Sequence, residues 1–91
     1  MNRRWEADES ASFTRRLGKR AVELDPPHSE DEDGCPEIWE LDNGDVAVIG
    51  RDLTEAYRSR LPEEVRIGRD ERLVIIPGGI LSAAKPHIAD A

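Results

Sequence analysis

The sequence predicts a small α+β domain: a three- to four-stranded, mainly antiparallel sheet with one or two short helices and a partly disordered or helical N-terminal arm. Three observations predict it. Asn43-Gly44 lies between two apolar-rich runs, residues 38–41 and 46–49, and is the strongest short hairpin signal, because a type I′ turn needs two residues that tolerate positive φ. Residues 72–76, Arg-Leu-Val-Ile-Ile, form the most apolar run of the chain and read as a central strand. Two segments with helical spacing, 53–61 and 80–85, are closed by Pro62 and Pro86, which cannot continue a helical hydrogen-bond ladder. With 91 residues there is room for one domain of limited core. It divides into an arm with an acidic linker, residues 1–34, and a compact α+β domain, residues 35–91.

In the arm, Phe13, Leu17, Ala21 and Leu24 recur at intervals of four, four and three, which places them on one helical face. Ser10 or Ser12 caps that helix. Gly18 weakens it by about 1 kcal/mol relative to Ala, and Arg15, Arg16, Lys19 and Arg20 lie mostly off the stripe. Asp25-Pro26-Pro27 ends the helix, and residues 28–34 read as a solvated acidic linker. In the hairpin, a two-residue turn sets Leu41 opposite Val46 and Trp39 opposite Val48, with Glu40 against Ala47 and Ile38 against Ile49 on the other face. Trp39, Leu41, Val46 and Val48 are then the expected core. That register also opposes Asp42 to Asp45, a like-charge penalty that keeps a four-residue loop as the alternative.

Asp52 is placed to accept from first-turn amides and Glu55 stands at capping-box distance, so a short helix follows with Leu53, Ala56, Tyr57 and Leu61 on one face. Residues 65–67 alternate like a short edge strand, and residues 68–71 turn the chain into the 72–76 strand. Pro77-Gly78-Gly79 breaks that strand, and residues 80–85 form about a turn and a half of helix.

Composition narrows function by exclusion. Hydrophobic residues make up 37% and charged residues 36% of the chain, and the net charge is −7. No segment concentrates the basic groups that displace counterions from a nucleic acid, so no direct nucleic-acid binding is expected. No apolar run approaches the roughly 20 residues of a membrane span, and the charged opening of the sequence lacks a signal peptide's apolar stretch. Cys35 is the sole cysteine, which excludes an intramolecular disulfide framework and favours a cytoplasmic protein. Eleven arginines against two lysines fit a GC-rich bacterial genome.

The candidates for chemistry are few. His28, Cys35 and His87 match no closed zinc spacing. Asp33, Glu32 and Glu37 beside Cys35 disfavour a thiolate nucleophile. Glu30 to Asp33 lack the spaced ligands of a calcium loop, and Gly78-Gly79 lacks the remaining residues of a phosphate-binding motif. Catalytic, cofactor-binding and metal residues are therefore expected to be absent, and no cofactor is implied. What the sequence offers is recognition. Trp5 and Phe13 stand in a polar arm that gains little from aromatics unless they dock. Together with Leu17, Arg15 and Arg16 they form the expected partner-binding set, for a protein partner.

A resemblance points the same way. Cys35-Pro36-Glu37-Ile38-Trp39-Glu40, then Asp45 through Asp52, and later Leu73-Val74-Ile75-Ile76-Pro77 resemble the small accessory proteins that actinomycetes encode beside Xre-type helix-turn-helix regulators, a group related to the developmental protein BldB. The likeness spans about half of the folded region. The chain departs from that pattern in its added 53–61 segment, in lacking a serine-rich opening after the first tryptophan, and in Gly78-Gly79. The resemblance implies a non-enzymatic protein that regulates a DNA-binding partner as an antitoxin-like or transcription-accessory factor, and it carries over no functional residue. The alternative is a homo-oligomeric structural subunit, a homodimer through the hairpin or the 65–67 edge, with a small-ligand or metal-binding domain less favoured.

Overall fold

Over residues 5–24 and 35–88, which the computed structural model describes, the chain is α+β as expected, with its strands in two antiparallel sheets. The acidic linker, with His28, lies outside the described residues. The larger sheet has the order β1-β2-β3, with β1 at Phe13–Arg16, β2 at Glu37–Leu41 and β3 at Val46–Ile49. The smaller pairs β4, Arg51–Asp52, with β5, Val74–Ile75. Helix α1 spans Thr54–Tyr57 and continues as a 3₁₀ turn, Arg58–Arg60. Helix α2 spans Gly78–Ala84 and continues as a second, Lys85–His87.

The β2–β3 hairpin forms, one residue out of the expected register. Glu40 pairs with Val46, Trp39 with Ala47, Ile38 with Val48 and Glu37 with Ile49. The cause is a three-residue loop. Gly44 N–H donates to the Leu41 carbonyl at 3.1 Å, Leu41 N–H donates to the Asp45 carbonyl at 2.9 Å, and Gly44 has φ +90°. This is a type I turn followed by a left-handed glycine, the next commonest hairpin closure after the two-residue one. It separates Asp42 from Asp45, which the two-residue turn would have set face to face. A one-residue slip changes which side chains share a face. Ile38 is buried on the face it shares with Val46 and Val48, which stay exposed because β3 is an edge strand, and Trp39 is half-buried on the opposite side.

The helix expected from residue 13 to 24 does not form. Residues 13–16 are instead an edge strand, pairing Phe13 with Leu41, Arg15 with Glu40 and Arg16 with Trp39. The chain then turns at Gly18 and makes a 3₁₀ turn at Ala21–Glu23, closed by Arg20 N–H donating to the Glu23 carboxylate at 2.9 Å. The apolar spacing that suggested a helix reaches the core by this other path. Leu17 and Ala21 are buried with Cys35, Ile38, Ile80 and Ala84, and Leu24 packs against that cluster. Gly18 has φ +87°, and a Cβ there would stand 2.8 Å from the Ala84 nitrogen. Only glycine lets β1 turn this tightly against α2.

Further along, residues 65–67 are a loop, not a strand, with Val65 N–H donating to the Pro62 carbonyl. The apolar 72–76 run contributes only the two-residue β5, whose Val74 and Ile75 are exposed. Ile76, just beyond it, packs on the core. The strand ends before Pro77 as expected, and Gly78 and Gly79 already belong to α2, which begins two residues earlier than expected. Asp52 does accept from Thr54, through its backbone N–H at 3.1 Å and its hydroxyl at 2.7 Å. Leu73 N–H donates to the same hydroxyl oxygen at 2.8 Å. The buried Thr54 side chain thus ties α1 to the smaller sheet. Glu55, expected to complete a capping box, instead accepts from Arg58.

Candidate functional site: the outer face of the three-stranded sheet

The larger sheet has one face turned to α2 and the core and another turned outward. Residues directly opposite on paired strands share a face, so Glu37, Trp39 and Leu41 point outward with Ala47 and Ile49. What joins them from β1 depends on an irregularity. The β1–β2 register shifts between Phe13 and Arg15, leaving Thr14 as an extra residue whose hydroxyl donates to the Glu40 carbonyl at 2.9 Å. In a regular strand, residues 13 and 16 point to opposite faces. Across the bulge they point to the same one.

Phe13 and Arg16 therefore meet on Trp39. The Phe13 and Trp39 ring centroids are 5.5 Å apart with planes tilted by 53°, within the range of favourable aromatic pairs. The Arg16 guanidinium carbon lies 4.7 Å from the Trp39 ring centroid, a cation–π distance. Glu37 holds both partners: its Oε1 accepts from the Trp39 indole N–H at 3.0 Å and from Arg16 Nε and Nη2 at 3.0 and 2.7 Å. The indole N–H first, and the Arg16 guanidinium after it, draw the Glu37 carboxyl below its ordinary pKa against the opposing effect of burial. The result is a fixed aromatic pair with an arginine laid over it, while Phe13 remains 57% and Ile49 48% exposed.

Of the five residues expected to bind a partner, the structure brings together two, Phe13 and Arg16. Arg15 points to the other face, donating to Glu40 Oε1 at 3.1 Å and to the His87 carbonyl at 2.9 Å. Leu17 is 5% exposed and belongs to the core. Trp5 is 73% exposed but sits apart, in an open cleft lined by residues 5–10 and 66–71. Trp39, Glu37 and Ile49 were not anticipated as site residues. The alternation of Glu37, Trp39 and Leu41 was the available signal, but the assumed register turned it toward the core.

Among the described residues, no three of histidine, cysteine, aspartate or glutamate converge as a metal site would require. His87 serves the fold, its Nδ1 accepting the Gly18 N–H at 2.8 Å. Cys35 is buried. Asp52 and Glu55 are held below their ordinary pKa by Thr54 and Arg58 respectively, as parts of local turn and helix contacts. Among the described residues no helix is long and apolar enough to cross a membrane. The chain matches no family model, no curated protein and no solved structure, so the outward aromatic face stands on its own geometry as the candidate site.

Proposed function

We propose that the protein is a non-enzymatic interaction module that recognises a protein partner through Phe13, Arg16 and Trp39, and that the partner is a DNA-binding regulator whose activity it adjusts. The observation that carries this reading is an exposed aromatic pair already held in one arrangement by Glu37. An aromatic that is ordered before binding loses little conformational freedom on binding, and aromatics and arginines dominate binding energy at protein interfaces. Direct nucleic-acid binding is not favoured, because the net charge is −7 and Arg16 on this face is neutralised by Glu37. The regulatory character of the partner rests on the resemblance of the hairpin and its flanks to helix-turn-helix accessory proteins. The reading takes the cytoplasm as its compartment, in keeping with a single cysteine.

Affinity capture with the full chain from the source cells tests it. Phe13→Ala leaves the core untouched and is expected to lower recovery of a specific partner at least tenfold, the loss of a typical hot-spot residue. Equal recovery by wild type and Phe13→Ala would remove this face as the recognition surface. Trp5→Ala in parallel reports separately on the 5–10 cleft.

A further inference from the structure

The two edges of the larger sheet are treated differently. The β1 edge is blunted by the Thr14 bulge and by Arg15 and Arg16, common protections against pairing with another chain. The β3 edge, Val46-Ala47-Val48-Ile49, has no charge, no proline and no bulge. Its exposures are 53% at Val46, 43% at Val48 and 48% at Ile49.

The direction of its backbone groups follows from the ladder. Leu41 N–H donates to Asp45 across the hairpin, and narrow and wide pairs alternate in an antiparallel ladder. Trp39 with Ala47 and Glu37 with Ile49 therefore exchange the β2–β3 hydrogen bonds. Val46 and Val48 turn their N–H and C=O groups to the outside. Ile38 confirms the alternation, since its carbonyl points away from β3 and accepts the Leu17 N–H at 2.8 Å. Among the described residues nothing bonds the outward groups of Val46 and Val48.

We propose that β3 pairs with β3 of a second copy of this chain, antiparallel about a twofold axis at Val48, joining two three-stranded sheets into one of six strands. This goes beyond the partner reading above, since it uses the strand edge and leaves the Phe13–Trp39 face open. The occupant is indicated by charge. With Val48 opposite Val48 of the second copy, Val46 meets Gly50 and Ala47 meets Ile49, while Asp45 falls directly opposite Arg51. The same pair repeats at the other end by symmetry. Arg51 is exposed and makes no ion pair among the described residues. Among the described residues the Asp45 carboxylate has only the Asn43 side chain as partner. A strand that is apolar in the middle, acidic at its start and basic just past its end complements an antiparallel copy of itself.

Sedimentation equilibrium of the full chain over about 1–200 µM is expected to show a concentration-dependent monomer–dimer equilibrium. Val48→Pro removes an N–H that the β2–β3 ladder does not use, a position where an edge strand accepts proline, and should abolish the dimer. Arg51→Glu sets like charges opposite each other at both ends and should weaken the dimer about tenfold. Asp45→Arg added to Arg51→Glu should restore it. A monomer throughout that range, or a dimer that Arg51→Glu leaves unchanged, overturns the proposal, and both results stand even if Val48→Pro does not fold. Neither result bears on partner capture through Phe13.

Discussion

Gly18 and Gly44 have nearly the same positive φ, +87° and +90°, but different surroundings. A Cβ at Gly44 would meet nothing within 4 Å, whereas at Gly18 it would press on the backbone of Ala83 and Ala84 at 2.9 and 2.8 Å. Gly44→Ala should therefore cost only the left-handed penalty, about 1–2 kcal/mol. Gly18→Ala adds a clash with backbone that cannot step aside, for a total of about 2–5 kcal/mol. Urea unfolding of both variants checks the contrast, and equal losses would mean that α2 yields more readily than its packing implies. Glu37 gives a second test at this scale. Its folded pKa lies below the ordinary 4.5, so its contribution to stability is complete above that value and is lost as pH falls through the folded pKa. Glu37→Gln should be less stable than wild type at neutral pH, and the difference should close in acid. A gap that is flat from pH 7 to about 3 would show that the carboxylate's charge contributes nothing.

At the scale of elements, what could be read in advance was what local chemistry decides. Asn43-Gly44 did announce a hairpin, Asp52 did accept from the start of α1, and Pro62 does lie beyond the end of the α1 turn. What could not be read was decided by neighbours. Leu17 and Ala21 fit a helical stripe, but β2 offered an unpaired edge and α2 left no room for a side chain at residue 18. Residues 72–76 read as a central strand, yet only Val74 and Ile75 pair, and they pair with the two residues of β4. The aromatic face was the least legible part, because it needs two departures from regularity at once. The three-residue loop turns Trp39 outward, and the Thr14 bulge brings Phe13 and Arg16 to it. Neither leaves a mark in hydrophobic periodicity.

The whole molecule has a small core assembled from distant pieces. Leu17 and Ala21 come from the N-terminal segment, Cys35 and Ile38 from the entry to the sheet, and Ile80 and Ala84 from α2. A chain this short has little stability to spare. Residues 35–91 alone would lose two of these six side chains and an edge strand, so that fragment is expected to show neither a cooperative thermal transition nor the near-ultraviolet signal of a fixed Trp39. Circular dichroism decides this directly, and a cooperative transition would mean that the hairpin and α2 suffice. The Thr14 bulge has a consequence of another kind. Whether Phe13 faces outward or toward the core is set by the parity of the paired residues between it and Arg16, not by the identity of any side chain. Deleting Thr14 would leave Phe13 two positions from Arg16 in a regular strand, still opposite Leu41 and on the outward face, whereas straightening the strand at its present length would turn Phe13 to the core side. The outward aromatic face thus survives loss of the extra residue but not loss of the bulge at constant length.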